Sequence, residues 1–125
     1  MAPIGFHLRH TAESIDRLLT YAAGGALTGA QMAVLRAEED PGDPLAAGGP
    51  LLENVDRAVD RALDVLRRTP DSTLVAPRAV GRAQLPSTVA GLLFHLAEHA
   101  QRHAGQAITT RKWIGESGRS SPTSI

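Results

Sequence analysis

An all-α fold is what this 125-residue chain predicts, and three observations carry that reading. Aromatic residues are only 3% of the composition, and the β-branched residues that strands favour are sparse beside Ala, Leu and Arg. Apolar residues recur at helical rather than alternating spacing in three long segments. Prolines fall between those segments or at their starts, where a helix tolerates them.

The first segment spans residues 3–23. Leu8, Ile15, Leu19 and Ala22 share one stripe with Arg9, Glu13, Asp16 and Thr20 opposite, and Gly24-Gly25 supplies a stop. A shorter helix over 28–38 carries Met32 and Leu35 and starts at a Thr28 cap. The stretch DPGDPLAAGGP, residues 40–50, reads as a loop. Between Pro50 and Thr69, the residues Leu52, Val55, Val59, Ala62, Leu63 and Leu66 form a stripe about 100° wide. Glu53 with Arg57 and Asp64 with Arg68 are i,i+4 pairs in the favourable order, and Pro70 ends the helix. Residues 71–86 read as irregular, because TLVAP and AVGRAQL are too short and interrupted to argue a sheet. Ser87 then caps a last helix that runs to about Trp113, a residue expected to close the end of the core. The bundle domain is therefore residues 1–114, and the polar tail at 115–125 is expected to be disordered.

Charge and composition exclude several classes. Lys+Arg 13 balances Asp+Glu 13, so no basic excess supports nucleic-acid binding. The absence of cysteine excludes disulfides, thiolate ligands and a cysteine nucleophile. No apolar run reaches the length of a membrane span, and MAPIGFHLRH lacks the layout of a secretion signal. A cytoplasmic location is expected.

The chemistry in this sequence is histidine chemistry. His95, His99 and His103 stand at spacing four in FHLAEHAQRHAGQ, and at about 100° per residue they span an arc of only about 80°. Leu92 and Gln106 share that arc, which should face the core. Histidines at i and i+4 can aim ring nitrogens at one ion about 2.0–2.1 Å away. A third ligand must come from another helix, and His10 or His7 could supply it. Three histidines with an open position make a catalytic rather than a closed structural site. The same stretch fits H-x-x-E-H through His95, Glu98 and His99, but that inverted zinc-peptidase pattern belongs to much larger chains.

FHLRHTAESIDRLLTYA, followed far downstream by LPSTVAGLLFHLAEHAQRHAGQAITT, resembles the DinB-like family, which includes bacillithiol- and mycothiol-dependent transferases. The resemblance implies a four-helix bundle, up-down with long crossover loops, that holds zinc, nickel or iron through three histidines. Carried onto this chain, the ligands are His10 in RHTAES and His99 and His103 in HAQRHAGQ. Helical phase alone favours the other first-helix histidine. Measured from Ile15, His10 lies about 140° round the helix and His7 about 80°. The motif is followed here, since a helix covered on two sides, with an irregular first turn, reconciles the two. Family chains usually begin with a further long helix before the block matched by IGFHLRH, whereas Met1 sits almost at that block here. Either that helix has been cut away or a partner chain covers the gap, and the apolar stripes left exposed favour a homodimer.

His95, His7 and Gln106 are expected beside the ligands, facing them or a substrate. Gly105 is expected to admit a neighbouring helix, Glu98 to be solvated, and Arg78 and Arg82 are weighed as receivers of an anionic substrate. The resemblance implies a thiol S-transferase or a metal-dependent hydrolase. With no cysteine in the chain, any thiol must be a low-molecular-weight cosubstrate. The alternative is a non-catalytic, metal-stabilised helical module that dimerises.

Overall fold

The computed structural model describes residues 2–38 and 48–119. Four helices, α1 (Ile4–Ala22), α2 (Gly29–Ala37), α3 (Gly48–Arg68) and α4 (Val89–Arg119), carry the described chain. A 3-10 turn at Asp71–Thr73 leads into a hairpin of β1 (Pro77–Val80) and β2 (Leu85–Thr88).

Helix α1 is the spine, and α3 and α4 meet chiefly through it. The core lies where the three converge: Ile15 is 2% exposed, and Ala58 and Leu96 are buried with it. Ala12, Ala62 and Ala100 surround that centre, and their small side chains let the helices approach closely. His7 meets His103 while His10 meets His99, so α1 and α4 are antiparallel. Gly5 faces Leu51 and Ile15 shares a groove with Ala62, so α1 and α3 run parallel. Parallel neighbours require a crossover, and α2 lies within it. The expected loop at 40–50 falls mostly outside the described residues; helix α3 has already begun at Gly48.

The Thr28 cap forms as expected. Its hydroxyl accepts from the Gln31 amide while the Gln31 side chain accepts from the Thr28 amide. Gln31 also donates to Asp16 at 2.8 Å and to Thr20 at 2.9 Å, which ties α2 to α1.

Four expectations are corrected. Residues 77–88 form an antiparallel ribbon, with Pro77 opposite Thr88 and Pro86 opposite Ala79. A two-stranded ribbon has only edges, so proline is tolerated there. Gly81 at φ +69 and Gln84 at φ +50 make its turn. Second, Thr88 rather than Ser87 caps α4, accepting from the Gly91 amide at 3.0 Å. The next free amides are bound by distant carbonyls, Val89 to Ala76 and Ala90 to Leu74. A Cβ at Gly91 would stand 2.9 Å from Ser87 Oγ and 3.2 Å from Thr88 Oγ1, so a larger residue there must push these hydroxyls aside. Third, α4 continues to Arg119, so the expected tail is helical over 115–119 and its remainder lies outside the described residues. Trp113 closes no core; it is 60% exposed. Fourth, Arg57 turns to Asn54 and forms no pair with Glu53, whereas Asp64 and Arg68 do pair at 2.7 Å.

Replacing Ile15 with alanine removes the largest fully buried side chain. The Ile15→Ala variant should lose about 3 kcal/mol in urea unfolding. A loss below about 1 kcal/mol would place the core elsewhere.

Candidate metal centre

Helix α1 is buried over a broad arc. Ile15, Ala22, Thr11, His7 and Ser14 all face inward, spanning about 100° from Ile15 to Ser14. The helix is regular from Ile4, so two-sided cover alone, by α3 and α4, accounts for that width. His10 lies just beyond the edge and keeps 18% of its side chain exposed. On α4 the buried residues are Val89, Leu92, Leu96, His103 and Thr110, with His99 half-buried beside them.

The two helices bring four imidazoles together. His10 Nε2 and His99 Nε2 are 3.0 Å apart. Nitrogens of His10, His99 and His103 all lie within 4.8 Å of one another. Ligands of a tetrahedral zinc-type ion stand about 3.3 Å apart, so this donor set is close to ligand spacing. His7 Nδ1 lies 3.0 Å from His103 Nδ1, which leaves His103 Nε2 to face the cluster. His10, rather than His7, is the first-helix histidine whose nitrogen joins the candidate group, and His7 stands behind His103. Phe6 stacks on His10 with centroids 5.4 Å apart, holding the ring's plane.

His10 Nδ1 points the other way, 3.2 Å from Glu38 Oε2 in an ion-pair contact that is off-axis for a hydrogen bond. Arg17 meets the second Glu38 oxygen at 2.7 Å and reaches Ser14 Oγ at 3.3 Å. Ser14 Oγ is itself 3.4 Å from His10 Nε2, the nitrogen that meets His99. A carboxylate behind a ligand histidine fixes its tautomer and raises its basicity.

Burial, then the neighbouring His10, lowers the His7 pKa. Burial followed by His10, His95 and nearby arginines lowers that of His99. His103 is pushed down to about 4 by burial, with His10, His99 and His7 adding to it. These rings are neutral near pH 7, the form that ligates metal. Glu13 moves oppositely, up to about 7, through burial and then its contact with Glu38, against the pull of Arg17 and Arg9. The contact is a hydrogen bond only when one carboxyl carries a proton.

The remaining expectations divide. His95 stacks on His99 at 5.7 Å but is exposed, and among the described residues it donates no hydrogen bond to the cluster. Gln106 is likewise exposed and bonds no ligand histidine; with His7, Arg102, Thr109 and Thr110 it lines a cavity of about 500 Å³. His95, Gln106 and Trp113 all lie about 60–80° round α4 from His103, past the edge of the buried arc. Gly105 admits no helix, since nothing stands within 4 Å of a Cβ placed there. Arg78 donates to the Ala22 and Pro77 carbonyls at 2.8 Å, capping α1 instead of receiving a substrate. Arg82 lines a separate cavity near Tyr21. Sequence reasoning missed Glu38, Arg17 and Glu13. Glu13, Ser14 and Arg17 follow His10 at i+3, i+4 and i+7, a helical row that was readable, but Glu38 arrives only through the fold.

Three convergent imidazoles at a helix seam, one backed by a carboxylate, make a donor set that could hold a metal ion in this helical protein. The chain is a member of the DinB superfamily, whose family model matches residues 1–107. Comparisons with curated proteins and with solved structures give no match.

The lowered histidine pKa values fix the sign of a pH effect. A folded state that binds fewer protons than the unfolded one loses stability as pH falls below 6.5. The metal-free protein should therefore weaken from pH 6.5 toward 4, by on the order of 3 kcal/mol from His103. Glu13 offsets part of this between pH 7 and 4.5. Urea midpoints across that range check it: the slope should flatten in His103→Gln, and an unchanged slope contradicts the account.

Proposed function

We propose that the chain is a divalent-metal-dependent enzyme of the cytoplasm, a thiol S-transferase or hydrolase, with zinc, nickel or iron held by His10, His99 and His103. The observation that carries this reading is the convergence of three imidazole nitrogens while the far nitrogen of His10 faces Glu38. A closed structural centre would use a fourth protein ligand, and these three leave a position for water or for the sulfur of a low-molecular-weight thiol. The bound ion supplies a lowered pKa for whichever of these occupies that position.

The chain's own residues do the rest. Glu38 keeps His10 in the ligating tautomer, and Arg17 holds Glu38. Ser14 offers a hydroxyl beside the metal-facing nitrogen of His10. His7 orients His103 and also lines the neighbouring cavity, where Arg102 brings a positive charge. Charged groups packed against the cluster support an enzyme over a bare metal staple.

A second reading, a metal-stabilised dimerisation module, is favoured by a different observation. An apolar groove of about 210 Å³ runs between α3 and α4, lined by Val59, Leu63, Leu66, Leu93 and Leu96. Leu63 is 41% and Leu66 54% exposed. A homodimer buries this face under either reading.

Elemental analysis of untagged protein should find about one divalent ion per chain, lost in His99→Ala. Glu38→Gln should keep the fold and weaken metal binding by roughly 10–100-fold. An empty wild type after incubation with zinc and nickel overturns the metal reading. Sedimentation should give a dimer that Leu66→Arg converts to monomer; a monomeric wild type removes the dimer.

A further inference from the structure

We propose that the cavity between α1, α2 and α3 binds a small organic anion, its carboxylate or phosphate group held by Arg9, Arg57 and Arg61. This cavity, of about 320 Å³, is lined by those three arginines together with Arg17, Glu13 and Asp16. None of its walls is a candidate metal ligand, and the proposal does not depend on the metal.

Exposed arginines on helices usually meet acids one turn away, and that arrangement is not the one found here. Among the described residues, Arg9, Arg57 and Arg61 take part in no ion pair. Arg57 is turned toward Asn54, another wall of the cavity, although Glu53 stands one turn before it. Arg57 and Arg61 lie one turn apart on α3, so they present adjacent guanidinium groups from one side. Arg9 comes from α1 across the cavity. Guanidinium forks match the paired oxygens of carboxylate and phosphate groups.

The acids in the wall are already engaged. Asp16 accepts from the Gln31 side chain at 2.8 Å. Glu13 is turned to Glu38, which also holds Arg17. Gln31 brings no charge, so Asp16 stays anionic, and Arg9, Arg57 and Arg61 outnumber it to leave the cavity net positive. Ala12, Ala30 and Val34 supply an apolar floor, so the ligand class is an anionic head on a short carbon body.

Calorimetric titration of the metal-loaded full chain with inorganic phosphate, and separately with succinate, tests the proposal, with ionic strength held by chloride. One saturable site per chain is expected for at least one of the two, and whichever binds assigns the head group. Both positions on α3 are exposed and alanine favours helix, so an R57A/R61A double variant should keep its circular dichroism. It should bind at least ten-fold more weakly, and so should Arg9→Ala. Wild-type protein stripped of metal should bind as the loaded protein does. Absence of saturable binding by either anion overturns the proposal. Affinity that survives R57A/R61A, or that disappears when the metal is stripped, puts the anion outside this cavity and overturns it equally.

Discussion

Four imidazoles facing one another across the α1–α4 seam set the register on which the rest of this structure depends. A buried neutral imidazole needs partners at both ring nitrogens, and a charged one is costlier still. His7 with His103 and His10 with His99 meet that demand at one nitrogen of each ring, at two levels one helical turn apart. Sliding one helix along the other would leave these nitrogens unpaired in a weakly hydrated seam. The antiparallel alignment is thus held by polar chemistry, and the apolar contacts of Ile15 and Leu96 complete it from below.

That seam reaches outward through His10. Its outer nitrogen meets Glu38, the residue that closes α2, and Glu38 meets Arg17 and Glu13 on α1. A short helix with no buried residue of its own therefore carries a support of the candidate centre. Gln31 anchors that helix by side-chain hydrogen bonds to Asp16 and Thr20. Changes in α2 should be felt at the metal site more than its peripheral position suggests, because placement of a ligand's partner tunes the ligand. The arginine-lined cavity adjoins the same chain of charges through Glu13 and Arg17.

The convergence of the histidines was legible because spacing four on a helix aligns side chains whatever surrounds them, and the motifs around His10, His99 and His103 named the three that the fold brings together. His7 was legible as a neighbour, and its contact with His103 gives it a definite task. The same reasoning put His95 and Gln106 on the core-facing stripe, and both are exposed. A stripe drawn through the histidines centres on His99, whereas the buried arc centres nearer Leu96 and His103. That shift puts both residues, and Trp113, on the exposed edge.

Helix periodicity, the Thr28 cap and the breaks at Gly24 and Pro70 are local, so the amino-acid order was enough to place α1, α2, α3 and most of α4. Other features needed chain segments far apart in sequence. The hairpin forms from strands with prolines that local preference disfavours, and it stands because Arg78 ties it to α1 and the Ala76 carbonyl ties it to α4. Glu38 reaches His10 only through the crossover, and His7 meets His103 only once α4 lies antiparallel beside it. Side-chain spacing along one helix is a property of the backbone repeat. Which nitrogen faces a metal and which faces a carboxylate is decided by the helix packed opposite.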